Sequence, residues 1–360
     1  MIMTTDTRAL QTNQPGALMA AEIAEQPQVW RGLLAASRGT SSDIARAAAL
    51  ITAYQPRFVL FVARGTSDHA ALYGKYLAEI VHQLPCGLVS PSTMTAYGAQ
   101  PDLAGVLMIG VSQSGGSPDL LQSLEVARAR GALTIAITNQ SESALALAAE
   151  AHIDIQAGTE RAVAATKSYT AQLLALYLLF NRVRGGSGES VAGLSELGEK
   201  LLGEDTHVAE LAQRYRFASR LVSTARGYSY PTAREAALKL METSYLSAQA
   251  FSGADLLHGP LAMIDPQVPV LAVAADGIGG RAMQHVFPRL AEQGADVFCV
   301  GTHQAVASAG TGVVLPDGVS EELSPLVEIM PFQQLALHLA VARRSNPDAP
   351  RGLRKVTETL

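Results

Sequence analysis

Cysteine is nearly missing from this chain, which has two thiols in 360 residues, Cys86 and Cys299. Each sits in or beside an apolar run. That count excludes a disulfide framework, leaves no zinc-ligand spacing, and fits a reducing compartment. Charge is scarce too, at 16% of residues, and almost balanced, with a formal net charge of -5. No basic excess is available to attract nucleic acid or an anionic membrane surface. No uninterrupted apolar stretch is long enough to span a bilayer, and the N-terminal MIMTTDTRALQTNQPG has no apolar core of a secretory signal. These absences point to a cytoplasmic protein that handles a small polar molecule, with no nucleic-acid or membrane partner, no metal and no cofactor.

Two nucleotide signatures are also missing. No Gly-Lys-Ser/Thr ending follows the glycine-rich stretches, so there is no Walker loop. Gly277, Gly279 and Gly280 in ADGIGGRA only approximate the dinucleotide fingerprint, and they read as a tight turn.

The chain does have bulk apolar content, 48% of its residues, and more length than one core usually supports, so two domains are expected. Strand-like segments at 58–63, 87–90, 106–111, 133–138 and 153–156 alternate with helical spacing that ends in a long segment at 166–183. This is the pattern of a parallel sheet covered on both faces. A polar stretch, RGGSGES at 184–190, reads as a flexible linker. The pattern then repeats. FVLFVARGTSDHAALYGKYLAEI around Arg64 and Gly65 parallels SRLVSTARGYSYPTAREAALKLMET around Arg226 and Gly227, and the segment containing VSQSGGS has a counterpart in the one containing AADGIGG. The expected fold is α/β: two tandem doubly wound, flavodoxin-like parallel-sheet domains, each a three-layer α/β/α unit.

The most informative stretch is IGVSQSGGSPDLL at 109–121. A buried strand leads into a turn of serines and glycines and then into a helix, an arrangement that aims backbone N–H groups and a helix dipole at an anion. The hydroxyls of Ser112, Ser114 and Ser117 complete such a shell without a lysine. Ligands of open parallel sheets lie beyond the carboxyl ends of the strands, where this loop can meet Thr66 and Ser67. Only the first copy keeps the serines, so the phosphate site is expected there.

In the second half, a helix expected over 233–247 places Lys239 and Glu242 three residues apart on one face. A carboxylate held there can move a proton between adjacent carbons of a sugar, although the pair also suits an ordinary helical ion pair. His258 before Gly259 and Pro260 can relay a proton at neutral pH, or serve only structure. The tail APRGLRKVTETL reads as a disordered end whose Lys355 can fold back over a site.

Taken together, these stretches resemble the sugar isomerase (SIS) domain family. The likeness is to its two-copy members, the isomerase half of glutamine–fructose-6-phosphate aminotransferase and the stand-alone aminosugar-phosphate deaminases. It rests on MAAEIAEQP, ARGTS, VSQSGGS, GTERAVAATKSYTAQ, EAALKLMETSYLSAQAFSGADLLHGPLAMID and the segment running from SPLVEIMPFQQ to RGLRKVT, in order along nearly the whole chain. The resemblance implies sugar-phosphate binding by Thr66, Ser67, Ser112, Gln113, Ser114 and Ser117, and a backbone contact at Val163. Where the synthase has a serine contact, this chain has Ala165. It further implies that Glu242 is the base for the C1–C2 proton transfer, with Lys239 beside it, and that His258 opens the ring from a neighbouring subunit, hence a homodimer with shared sites. Lys355 matches the lysine that forms an imine with the open-chain ketose.

The implied organisation is an N-terminal segment at 1–29, a phosphosugar-binding SIS domain at 30–184, a linker at 185–203, a second SIS domain carrying the glutamate and histidine at 204–345, and a tail at 346–360 closing over the site. The synthase's glutaminase cysteine has no counterpart, so the expected reaction is breakdown: glucosamine-6-phosphate and water to fructose-6-phosphate and ammonia. Galactosamine-6-phosphate and fructosamine-6-phosphate are alternative substrates. A non-catalytic sugar-phosphate sensor is the alternative of another class.

Overall fold

A computed structural model describes residues 14–355. The expected segment at 1–29 and the tail at 346–360 therefore lie partly outside the described residues. The first half runs α1 (Ala17–Ala36), α2 (Asp43–Tyr54), β1 (Phe58–Val62), α3 (Thr66–Val81), β2 (Cys86–Leu88), α4 (Pro91–Thr95), β3 (Val106–Ser112), α5 (Pro118–Ala129), β4 (Leu133–Thr138), α6 (Ala144–Ala148), β5 (Ala151–Asp154) and α7 (Lys167–Val183). The second half follows through α8 (Leu194–Leu202), α9 (Asp205–Tyr215), β6 (Arg220–Ala225), α10 (Tyr230–Ser244), β7 (Ser247–Ser252), α11 (Gly253–Leu257), β8 (Pro269–Ala274), α12 (Ile278–Met283), α13 (Val286–Glu292), β9 (Asp296–Gly301), α14 (His303–Ala309), β10 (Thr311–Val314) and α15 (Ser324–Ala342).

Each half builds one parallel five-stranded sheet, ordered β2-β1-β3-β4-β5 in the first and β10-β9-β8-β6-β7 in the second. Read from its other edge, the second order is β7-β6-β8-β9-β10, which is the first order again, so the repeat in the sequence is a repeat of topology. The central strands are apolar along their whole length. LTIAIT in β4 and PVLAVA in β8 are buried at every position, as strands covered on both faces must be. The edge strands β2 and β5 begin one and two residues before the segments expected at 87–90 and 153–156. Each has a single neighbour in the sheet, so its apolar pattern is short and weakly framed.

One apolar core runs through both halves, joining Trp30, Phe61 and Tyr169 to Leu240, Phe298 and Leu335. The two long helices α7 and α15 are buried along most of their length and form its centre. Polar bonds fix their places: Gln333 Nε2 of α15 donates to the Thr166 carbonyl at the start of α7 at 3.3 Å, and Trp30 Nε1 of α1 donates to Thr170 Oγ1 of α7 at 3.0 Å. The expected boundary after residue 29 falls inside α1. The stretch read as a flexible polar linker is tied down, because the Gly188 N–H donates to Asn181 Oδ1 at 3.0 Å and Tyr177 Oη pairs with Ser190 Oγ at 2.5 Å. Further along the expected linker, α8 packs Gly198 against Trp30, where a Cβ would lie 2.6 Å from the indole.

Candidate functional site

In both sheets strand order reverses between the first and third strands, the place where open parallel sheets bind ligands beyond the carboxyl ends of their strands. In the first half the residues at the carboxyl ends of β1 and β3 line one cavity: Thr66 and Ser67 from the first turn of α3, and Ser112, which ends β3, with Gln113, Ser114 and Ser117 from the turn that follows. The serines also shape their own loop. Ser112 Oγ accepts the Gly115 N–H at 3.0 Å, and Ser114 Oγ accepts the Gly116 N–H at 3.3 Å. Their O–H groups stay available as donors to an anion. Gly115 has φ +63, and a Cβ there would lie 2.1 Å from Ser143 Oγ, so the turn admits no side chain. Ser117 precedes Pro118 at the first turn of α5. The loop itself has no cation, but Arg64 lines the same cavity and pairs through Nη2 with the buried Asp119 at 2.7 Å, so the surroundings are less neutral than the serines suggest.

Glu242 reaches this cavity from α10 in the other half, and Val163, Ala165 and Lys355 line it as well. Beneath Glu242 lies a buried chain of charge. Lys239 Nζ, with no side-chain exposure, lies 2.6 Å from Glu242 Oε2, 3.3 Å from Glu235 Oε1 and 3.0 Å from Thr66 Oγ1. Thr66 donates to Glu235 Oε1 at 3.0 Å, and His69 Nδ1 lies 2.7 Å from Glu235 Oε2. Burial alone works against the Glu235 carboxylate, yet Lys239 and the hydrogen bonds from His69 and Thr66 hold its pKa below the ordinary value. Burial likewise opposes the Lys239 ammonium, and its two carboxylate partners more than reverse that, raising its pKa. The base candidate is thus fastened to a lysine that stays charged and is itself fixed from the first half.

Lys355, in the tail read as disordered, is ordered up to the last described residue. Its Nζ donates to Glu160 Oε2 at 2.8 Å and to the Ala162 carbonyl at 2.7 Å. His258 stands apart. It caps the C-terminal end of α11, is exposed, and is not among the residues lining the cavity.

Three participants escaped the sequence reading: His69, Glu160 and Glu235. Glu235 had a visible signal, since it stands four residues before Lys239 on the same helix face. His69 follows Thr66 by one turn of α3. Glu160 had none, because its partners are Ser168 and a lysine 195 residues away.

The second half shows what became of the other crevice. Where the first half has its serine turn, the second has Gly277 to Gly280, and the Glu321 carboxylate accepts the N–H groups of Ile278 at 2.9 Å and Gly279 at 2.7 Å. A Cβ on Gly277 would lie 2.2 Å from Glu321 Cδ.

Both sheets, the serine turn and Glu242 fall within regions that match the SIS domain, residues 53–182 and 215–341, and Lys355 lies beyond them. The chain belongs to the SIS domain family. It is 35% identical over 352 residues to the glutamine–fructose-6-phosphate aminotransferase (isomerizing) of Gloeobacter violaceus, covering 94% of this chain and 58% of that one. The Thermococcus kodakarensis protein of the same name is also 35% identical, over 94% of this chain and 57% of its own length. This SIS chain therefore spans somewhat over half the length of those relatives. Among solved structures, the C-terminal domain of glucosamine-fructose-6-phosphate aminotransferase from Francisella tularensis superposes with a TM-score of 0.80 at 26% identity, covering 91% of this chain and 96% of that one. No helix among the described residues is long and apolar enough to cross a membrane.

Proposed function

We propose that this chain is an aminosugar-phosphate isomerase and deaminase. The observation that carries the reading is that one cavity joins the serine loop of the first half to Glu242 of the second. A phosphate on the loop would anchor one end of an open-chain sugar, and Glu242, fastened by Lys239, would lie against the other end. The names of the relatives support a fructose 6-phosphate skeleton as the ligand class.

In the proposed sequence Glu242 takes the proton from C2 of open-chain glucosamine-6-phosphate and returns it to C1, which turns the C2 amine into an imine. Water adds to C2 and ammonia leaves, giving fructose-6-phosphate. We further propose a homodimer in which the exposed His258 serves the partner's cavity and assists ring opening.

The test is turnover in heavy water. Wild-type protein releases ammonia from glucosamine-6-phosphate and places deuterium at C1 of the product. Glu242→Gln lowers kcat by about 10²–10⁴ with a far smaller change in KM. Parallel assays with galactosamine-6-phosphate and a fructosamine-6-phosphate amino-acid conjugate fix the amine. Ammonia release and exchange at the wild-type rate in Glu242→Gln would remove Glu242 from the mechanism, and tight binding without turnover of any substrate would make the protein a sensor.

A further inference from the structure

The helix that follows the serine turn begins with an acid. Asp119 stands in the first turn of α5, and its side chain is only 2% exposed. A buried carboxylate there opposes any anion seated on the turn, because like charges repel more strongly where water is excluded. Arg64 answers it. The guanidinium donates to Asp119 Oδ2 from Nε at 2.8 Å, and Nη2 lies 2.7 Å from the same oxygen. The other oxygen, Oδ1, accepts the Leu120 N–H at 2.9 Å. A second acid, Asp68, lines a neighbouring groove that Arg64 also borders, but the ion pair is with Asp119.

The sheet delivers Arg64 to this place. Val62, at the end of β1, pairs with Gly110 of β3, so Arg64 leaves its strand level with Ser112 leaving the next. Gly65 follows with φ +55 and turns the chain at once into α3, which brings Thr66 and Ser67 to the same cavity. A guanidinium carries five N–H groups in one plane. Nε gives its proton to Asp119 and Nη2 faces it, and no other residue among those described accepts from the group. Both N–H groups of Nη1 and the second of Nη2 are left, the fork that fits two oxygens of a phosphate. The side chain is half exposed and lines the cavity with Ser112, Gln113, Ser114 and Ser117. A phosphate monoester carries about −1.5 to −2 charge at neutral pH, and the hydroxyls of the turn supply nothing of opposite sign.

We propose that Arg64 is the cation of the phosphate site: it binds the sugar phosphate directly through its Nη1 and Nη2 edge, and Asp119 is the residue that positions it. The inference rests on the sugar-phosphate reading of the cavity and adds a charged ligand to a loop whose own donors are neutral.

Calorimetry with inorganic phosphate and with fructose-6-phosphate tests it. Arg64→Gln binds both about 10- to 100-fold more weakly than wild type, the worth of one charge-assisted contact. Arg64→Lys, which keeps the charge and loses the fork, recovers part of that. Because Arg64→Gln also leaves Asp119 unanswered, the deciding variant combines Arg64→Gln with Asp119→Asn, which removes both charges and keeps the net charge. It still binds phosphate at least ~10-fold more weakly than wild type. Wild-type affinity in this double variant means that Arg64 only neutralises Asp119, and overturns the proposal. Ser112→Ala marks the loop: weaker binding there with none in the double variant strikes Arg64 alone, whereas wild-type protein that binds neither ligand overturns the sugar-phosphate reading and this inference with it.

Discussion

Glu328 is buried in the second half with no ion-pair partner among the described residues, and replacing it with glutamine should make the protein more stable at neutral pH. Its carboxylate accepts Ser229 Oγ at 2.8 Å, Ser324 Oγ at 2.6 Å and Thr232 Oγ1 at 2.9 Å. Burial raises its pKa from 4.5 to about 6, with the three hydroxyls holding back a larger rise. A carboxyl with a raised folded pKa binds more protons folded than unfolded, so its contribution to stability is present below pH 4.5 and is lost as pH rises through about 6. At ~1.4 kcal/mol per pH unit, the gap between those values amounts to ~2 kcal/mol lost by neutral pH. Glutamine carries no such charge, keeps a carbonyl for two of the hydroxyls, and leaves one amide proton poorly served at a cost of ~1 kcal/mol. The measurable quantity is the pH dependence itself. Urea unfolding of both proteins from pH 4.5 to 7.5 should show Glu328→Gln gaining on wild type by most of ~2 kcal/mol across that range. A constant difference, or one that shrinks as pH rises, would show that Glu328 is ionised in the fold at no cost and that the reasoning is wrong.

Ser112→Ala and Ser114→Ala should each weaken binding of the sugar phosphate and of inorganic phosphate by ~1.5–3 kcal/mol in calorimetry, with the larger loss at Ser112, whose bond from the Gly115 N–H is buried and 3.0 Å long where that of Ser114 from the Gly116 N–H is exposed and 3.3 Å; unchanged phosphate affinity in both would move the phosphate away from this loop. Mixing inactive Glu242→Gln and His258→Ala chains should restore activity in part of the heterodimers, because one of their two sites then carries both intact residues, and no recovery after verified subunit exchange would place the two residues in one chain or dismiss His258.

The parts of this molecule that the sequence displayed are those governed by short-range pattern. The strand expected at 133–138 has its observed bounds, because a strand buried on both faces announces itself as an unbroken apolar run. The serine turn and the i, i+3 pair of Lys239 and Glu242 were visible for the same reason: their spacing is local. What stayed hidden depends on elements distant in sequence packing together. Nothing near Glu160 or His69 marks them as buried, since their partners Lys355 and Glu235 lie 195 and 166 residues away. The tail misled for a related reason. APRGLRK is polar and lacks periodicity, yet Lys355 is held by a carboxylate that only the folded first half presents.

The Glu321 carboxylate in the second crevice bears on how the duplicated halves diverged. Once a side chain of the protein occupies the place that an external anion would take, that copy is complete without a ligand and can serve as a fixed support, carrying Glu242 to its neighbour whether or not anything is bound. The change is also hard to undo in single steps. A serine in place of Gly277 would collide with Glu321, whose Cδ lies 2.2 Å from the added Cβ, whereas loss of Glu321 alone hands two N–H groups back to water and restores no hydroxyls. Under the function proposed above, the duplication then acts as a ratchet, with one half committed to holding the ligand and the other to holding the base.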